Sequence, residues 1–202
     1  MLEAIIFDVG GVLIRTQSRT GRETWAKKLG LDAWDFEHLV FNSDSGRQAQ
    51  LGQKSVDTHW QWLGQHFGLN PADLAQMRLD FFAGDEMNRE LVAHVQRLHR
   101  AGYRTGLLSN YADDARPLWT EVYPFIDYFD GVVISSEVGL MKPDPKIYYL
   151  AADSVAVSPA EVLFIDDFIE NVEGARQVGM QAIHFNDPDL ARKQLVDLTG
   201  VA

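Results

Sequence analysis

Hydrophobic and polar positions along this chain follow two regimes. In the first, short apolar runs end on polar residues. Ala4-Ile5-Ile6-Phe7 runs into Asp8, Leu107-Leu108 into Ser109-Asn110, Val133-Ile134 into Ser135-Ser136, and Phe164-Ile165 into Asp166-Asp167. Apolar, largely β-branched runs bounded by glycine or polar clusters predict buried strands. In the second regime, apolar residues recur at helical spacing. Leu91, Val92, Val95, Leu98 and Ala101 form one such stripe, closed by Gly102, and Val172, Ala175 and Val178 form another, closed by Gly179. Glycine suits the left-handed residue that ends a helix. Further strands are expected over 103–108, 129–134, 162–165 and 181–185. Further helices are expected over 112–122, shortened or broken by Pro117, over 147–152, and from Pro188 onward. Proline is tolerated only in a helix's first turn.

Residues 15–85 interrupt this alternation with a stretch that reads as helical throughout. Thr20-Gly21-Arg22-Glu23 has the spacing of a capping box, with Trp25 and Leu29 behind it. Asp32 is a candidate cap for a helix carrying Phe36, Leu39 and Val40, and Ser55 for one carrying Val56, His59, Trp60, Leu63 and Phe67. Asn70-Pro71 pairs a cap with a first-turn proline ahead of Leu74, Met77 and Phe81. Asn42 to Arg47 reads as a polar loop. Four short amphipathic helices of this kind can share a core. Trp25, Trp34, Trp60 and Trp62 are expected to pack it, and Arg47 to be solvated or to reach a substrate. Strands alternating with helices predict an α/β protein with a parallel, doubly wound sheet. The core then comprises 1–14 and 86–202, and 15–85 is an inserted helical cap.

Composition narrows the class. The 202 residues are 46% hydrophobic and 23% charged, which suits a globular domain with a sizeable insertion. A net charge of -11 argues against general nucleic-acid binding, which relies on basic patches. No run approaches the roughly 18 apolar residues of a membrane span, so no membrane partner is expected. The chain has no cysteine, which excludes disulfides, thiolate metal sites and cysteine nucleophiles. That composition fits a reducing, cytoplasmic setting. Nothing in the pattern specifies an oligomeric state.

Candidate chemistry gathers at the strand ends. In open α/β sheets ligands bind beyond the carboxyl ends of the strands. Asp8 sits at such an end, followed by Gly10 and Gly11, whose backbone can approach an anion closely. Asp166 and Asp167 place two more carboxylates at another. Adjacent carboxylates resist joint ionisation unless a cation intervenes, and an all-oxygen site of this kind suits Mg²⁺. Lys142, fixed by Pro143, is placed to neutralise both Asp8 and a phosphoryl group. Ser109 offers a hydroxyl and Asn110 a backbone N–H to phosphate oxygens. The histidines show no metal-ligand spacing, and His184, after the last strand, is expected to be structural.

Asp8-Val9-Gly10-Gly11-Val12, Ser109-Asn110, Lys142-Pro143 and Asp166-Asp167 occur in the order and spacing of the four motifs of the haloacid dehalogenase-like hydrolases. Ser135 to Tyr148 and Phe164 to Val172 resemble its subfamily IA. The resemblance covers essentially the whole chain. It implies a Rossmann-like core with a helical, C1-type cap. It also implies a Mg²⁺-dependent phosphatase acting through an aspartyl-phosphate, with a small phosphorylated metabolite as substrate. Carried over to this chain, Asp8 is the nucleophile and a metal ligand, and Gly10 lends the metal its carbonyl. Gly11, Ser109, Asn110 and Lys142 hold the phosphoryl group. Asp167 ligates the metal, Asp166 does so directly or through water, and Asn171 orients them.

Gly10 departs from the pattern. Typical phosphatases of the family carry there a second aspartate, the general acid, an effect worth about 10²–10⁴ in rate. The Asp-x-Gly form resembles sugar-1-phosphate phosphatases. Leaving groups of low pKa, such as an acyl or anomeric phosphate, need that acid least. Two alternatives share the fold: a 2-haloacid dehalogenase, whose halide leaves without a proton, and a non-catalytic phosphate-ligand-binding regulatory protein.

Overall fold

The computed structural model describes all 202 residues, as a parallel sheet with helices on both faces and a helical cap. The sheet contains β1 (Ala4–Phe7), β4 (Arg104–Ser109), β5 (Gly131–Ile134), β6 (Val162–Asp166) and β7 (Gln181–His184) in the order β5-β4-β1-β6-β7. All four pairings are parallel. β1 lies in the middle, so β4 and β6 flank it and Phe7 pairs with both Leu107 and Ile165. All four residues of β1 are buried, as expected of a strand covered on both faces. Alternation then divides the core. Ile5 and Phe7 pack with Leu91, Val95 and Leu98 of α6 (Arg89–Arg100) and with Leu195 of α11 (Pro188–Thr199). Ala4 and Ile6 pack on the other face with Ile147, Tyr148 and Ala151 of α9 (Pro145–Ser154) and Ala175 of α10 (Ile169–Gln177).

The cap consists of α1 (Thr20–Leu29), α2 (Ala33–Phe41), α3 (Asp44–Gln50), α4 (Val56–His66) and α5 (Pro71–Phe82). Trp25, Phe36, Trp60, Leu63, Met77 and Phe81 close a separate apolar cluster. Burying an aliphatic or phenylalanine side chain contributes about 1.5–3 kcal/mol, so the cap carries its own driving force. Phe81 is its centre, meeting Phe36 at 5.3 Å and Trp60 at 5.9 Å between ring centroids. Both crossings between core and cap run side by side, as β2 (Ile14–Thr16) and β3 (Asp85–Met87), an antiparallel ribbon. Buried Arg22 fixes the cap to that ribbon. It donates to the Phe81 carbonyl (2.9 Å) and to Asp85 (2.8 Å), and it faces Glu37.

Two local expectations change. The polar stretch from Asn42 contains a helix, α3, which Ser43 caps by accepting from the Gly46 N–H. Buried Gly46 explains it: a Cβ there would lie 2.5 Å from the Val40 carbonyl, so only glycine lets α3 pack under α2. The capping box at Thr20 does not form, since α1 begins at Thr20 itself and Arg19 precedes it without a side-chain cap. As expected, the helix around Pro117 is short and broken: α7 (Ala115–Pro117) gives way to a wider turn over Leu118–Val122. A short helix, α8 (Ser135–Val138), begins directly after β5. No helix is long and apolar enough to cross a membrane.

Candidate active site

The order of the sheet brings the ends of β1, β4 and β6 side by side, and with them Asp8, Ser109 and Asp166. Lys142 arrives from the loop after α8. Asn110 holds that loop through two bonds to Lys142: its amide accepts from the Lys142 N–H (2.8 Å) and donates to the Lys142 carbonyl (3.0 Å). The ammonium is thereby delivered between two carboxylates, 2.9 Å from Asp8 Oδ1 and 2.6 Å from Asp166 Oδ2. Lys142 and Asp166 are fully enclosed and Asp8 is 6% exposed. Burial alone would pull the Lys142 pKa down, but Asp8 and Asp166 outweigh it and raise it, so the ammonium stays charged.

The three aspartates differ in what satisfies them. Asp166 accepts from the Phe168 N–H (2.8 Å), from the Asn171 amide on both oxygens (3.1 Å each) and from Lys142. Asn171 therefore orients Asp166 rather than Asp167. Tyr148 in turn donates to the Asn171 carbonyl at 2.9 Å and anchors the start of α10. Asp8 is satisfied on one side by Lys142; burial pushes its pKa up to about 6 against the pull of that cation. Asp167 has no such partner. Its Oδ1 is buried without any hydrogen bond, and burial, with Asp8 and Asp166 nearby, pushes its pKa up to about 8. Oxygens of Asp8, Asp166 and Asp167 all lie within 4.8 Å of one another. An unpaired buried carboxylate beside two others is the environment a hard cation relieves, so these residues fit Mg²⁺.

Gly11 contributes space. With φ of 72°, it would place a Cβ 2.0 Å from Asp167 Oδ2, so a side chain there would displace the carboxylate. Its N–H donates to the Ile14 carbonyl at 2.8 Å, which takes it away from the phosphate-binding part expected of it. At Gly10 a Cβ would meet nothing within 4 Å. The side of Asp8 where a proton donor would stand is open, and no side chain fills it. Ser109 is buried and lines the same cavity as Asp8, Asn110 and Lys142. His184, opposite Asp166 across the β6–β7 pair, donates through Nε2 to the Asp167 carbonyl at 2.9 Å. Its structural part is thus to hold the backbone of the unpartnered carboxylate. The strand-end pattern that marks Asp166 also marks His184, once β7 is known to lie beside β6.

Trp34 departs from its expected place. Trp25 and Trp60 are buried in the cap, but Trp34 is 66% exposed and faces the cavity between cap and core. Arg47 also lines that cavity, exposed and without an ion pair.

This architecture, a parallel α/β core with a carboxylate and lysine cluster at its strand ends beneath an inserted cap, defines a capped, Rossmann-like α/β protein with an acidic strand-end site. The family model described as haloacid dehalogenase-like hydrolase matches residues 2–179, and the chain belongs to that family. Among its relatives, the sesquiterpene phosphatase astK of Aspergillus oryzae is 28% identical, over 98% of this chain and 97% of its own length. The phosphatase MT3486 of Mycobacterium tuberculosis is 31% identical, over 90% of this chain and 86% of its own. Among solved structures, the HAD family enzyme bt-2542 of Bacteroides thetaiotaomicron, in complex with magnesium and inorganic phosphate, superposes with a TM-score of 0.75. It is 21% identical, and the match covers 91% of this chain and 94% of that one.

Proposed function

We propose that this protein is a Mg²⁺-dependent phosphatase that cleaves a phosphate monoester through an aspartyl-phosphate on Asp8. The observation that carries this reading is the pairing of a lysine-neutralised carboxylate, Asp8, with an unpartnered one, Asp167, at a single strand-end site. A carboxylate with a fixed cation on one oxygen keeps the other free for phosphorus. The phosphatase names of the two relatives and the magnesium and phosphate held by bt-2542 support the same reading.

In this mechanism Asp8 attacks phosphorus, the bond from phosphorus to the leaving oxygen breaks, and the phosphoryl group rests on Asp8 until water displaces it. Lys142 offsets the charge of Asp8 and of the incoming phosphoryl oxygens. The Ser109 hydroxyl and the Asn110 N–H, which line the same cavity, would donate to the remaining oxygens. Asp167, Asp8 and the Gly10 carbonyl would hold Mg²⁺, which neutralises phosphoryl charge. Asp166, saturated by its own donors, positions Lys142. Position 10 has no side chain to give a proton to the departing oxygen, so the reading favours esters whose leaving group is stable as an anion. Halide displacement needs no cation and gives no account of the unpartnered Asp167 oxygen.

The test is phosphate release from 4-nitrophenyl phosphate with Mg²⁺. Asp8→Asn, close in shape to the native residue, is expected to lower kcat by about 10⁴ or more, in line with nucleophile removal in other hydrolases. Wild-type turnover in a folded Asp8→Asn protein would exclude the mechanism.

A further inference from the structure

We propose that the substrate is an amphiphilic phosphate monoester, whose phosphate sits at Asp8 and whose long apolar moiety lies in the chamber between cap and core. The proposal rests on the phosphatase reading and adds the chemistry of the other end of the molecule.

The chamber is large. Its volume is about 2170 Å³, against roughly 300–1,000 Å³ for pockets that hold a drug-sized ligand. A small phosphorylated metabolite would leave most of it to water. At its buried end stand Asp8, Ser109 and Lys142. At its exposed end stand Trp34 (66% exposed), Leu79 (67%), Val122 (61%) and Phe168 (61%). Apart from the terminal Met1, these are the four most exposed large apolar side chains of the chain. Single exposed apolar residues are ordinary. Four that come from α2, α5, the turn after α7 and the segment before α10, and that all face one cavity, form a binding feature. Leu74 and Phe82, half-buried, continue the apolar wall inward.

Several charges in the wall already have partners. Arg19 and Arg22 face Glu37, Arg22 also holds Asp85, and Arg78 holds Asp57 and Asp114. The Trp34 ring lies 4.0 Å from the Arg19 guanidinium. Of the arginines in the wall, Arg19, Arg22 and Arg78 are thus paired with carboxylates, Arg15 and Arg47 line it without an ion pair, and the buried cation at the strand ends is Lys142, beside Asp8. A ligand that is anionic at one end and apolar over the rest matches that distribution.

The experiment is a chain-length series at constant leaving-group basicity: 4-alkylphenyl phosphates from methyl to octyl, each kept monomeric, with Mg²⁺. A fully buried methylene is worth about 0.8 kcal/mol, roughly fourfold. Allowing for partial burial, kcat/KM is expected to rise by about a hundredfold or more over the series. Trp34→Ala and Leu79→Ser, at exposed positions that the fold does not need, are expected to flatten the dependence on chain length. A flat series, with glucose phosphates hydrolysed better than the octyl ester, would overturn the amphiphilic substrate and leave the phosphatase standing. A rise seen only when the ester is presented on phosphatidylcholine vesicles would also overturn it, in favour of a membrane-facing rim. Absence of hydrolysis of every ester would remove the phosphatase reading and this proposal together.

Discussion

The ends of the sheet and the wall of the cap both contain arginine or lysine set against carboxylates, yet the two regions use those charges differently. At the sheet ends the Lys142 side chain is 1% exposed, and it stands between Asp166, at 0%, and Asp8, at 9%. Each charge there depends on the others, because an ion left alone in such a place has no water to stabilise it. In the cap, Arg78 and its partners Asp57 and Asp114 keep between a third and three quarters of their side-chain surface. Those pairs are screened by solvent and are worth little. The contrast separates two tasks. The core concentrates incompletely relieved charge at its strand ends. The cap pairs Arg19, Arg22 and Arg78 with carboxylates and leaves Trp34 and Leu79 exposed on the chamber wall.

The largest effect should come from breaking the core triad. Lys142→Met leaves Asp8 and Asp166 facing each other without a cation, and removal of one partner from a buried pair costs about 3–5 kcal/mol. Denaturant unfolding of the metal-free protein is expected to show a loss of that size, with phosphatase activity gone. A loss below about 1 kcal/mol, the level of an exposed pair, would erase the distinction between the two regions.

A pH experiment sharpens it. The carboxyls of Asp8 and Asp167 are raised to about 6 and about 8 from the ordinary carboxylate value of 3.8. The folded, metal-free protein therefore binds more protons than the unfolded chain between those limits, and stability falls as pH rises through them. The melting temperature in a chelator is expected to drop as pH rises from 6 to 8 through the raised Asp167 carboxyl, the Asp8 share being lost by about pH 6. Mg²⁺, competing with those protons, should raise the melting temperature more at the upper pH than at the lower. Equal stabilisation at both would show that Asp8 and Asp167 do not form the cation site.

The smallest effect belongs to the cap. Arg78→Met removes two exposed ion pairs and is expected to change stability by less than about 1 kcal/mol, measured in the same unfolding experiment as Lys142→Met. A cost near that of Lys142→Met would mean that the contact from α5 to Asp114 holds the cap on the core more firmly than its exposure implies.

Much of this arrangement is legible in the residues themselves. The run from Ala4 to Phe7, with Asp8 after it, announces a buried strand with a carboxylate at its end, because only a strand covered on both faces is apolar throughout. The four strand-end motifs name Asp8, Ser109, Lys142 and Asp166-Asp167 in order. Ser55 and Asn70 announce their helices through capping chemistry that is local to a few residues, and both caps form. Ser43 and α3 stayed hidden because Gly46, read alone, signals a loop. Its part as the point of close packing under Val40 exists only once α2 is in place. Trp34 and Trp60 look alike in sequence, and only the packing of the cap helices leaves one exposed at the chamber wall and buries the other in the cap's own apolar cluster.

The sequence by itself determined the parallel α/β architecture, the helical insertion and the identity of the chemical groups. Periodicity, capping and strand-end polarity act over a few residues and leave their record there. Tertiary structure alone decided which groups share a partner. Asn171 turns to Asp166, Asn110 clamps the Lys142 backbone, the Gly11 amide goes to Ile14, and Asp167 is left without a donor. Those choices follow from the sheet order β5-β4-β1-β6-β7. It brings strand ends far apart in the chain within a few ångströms of one another, where burial removes the water that would otherwise satisfy each of them singly.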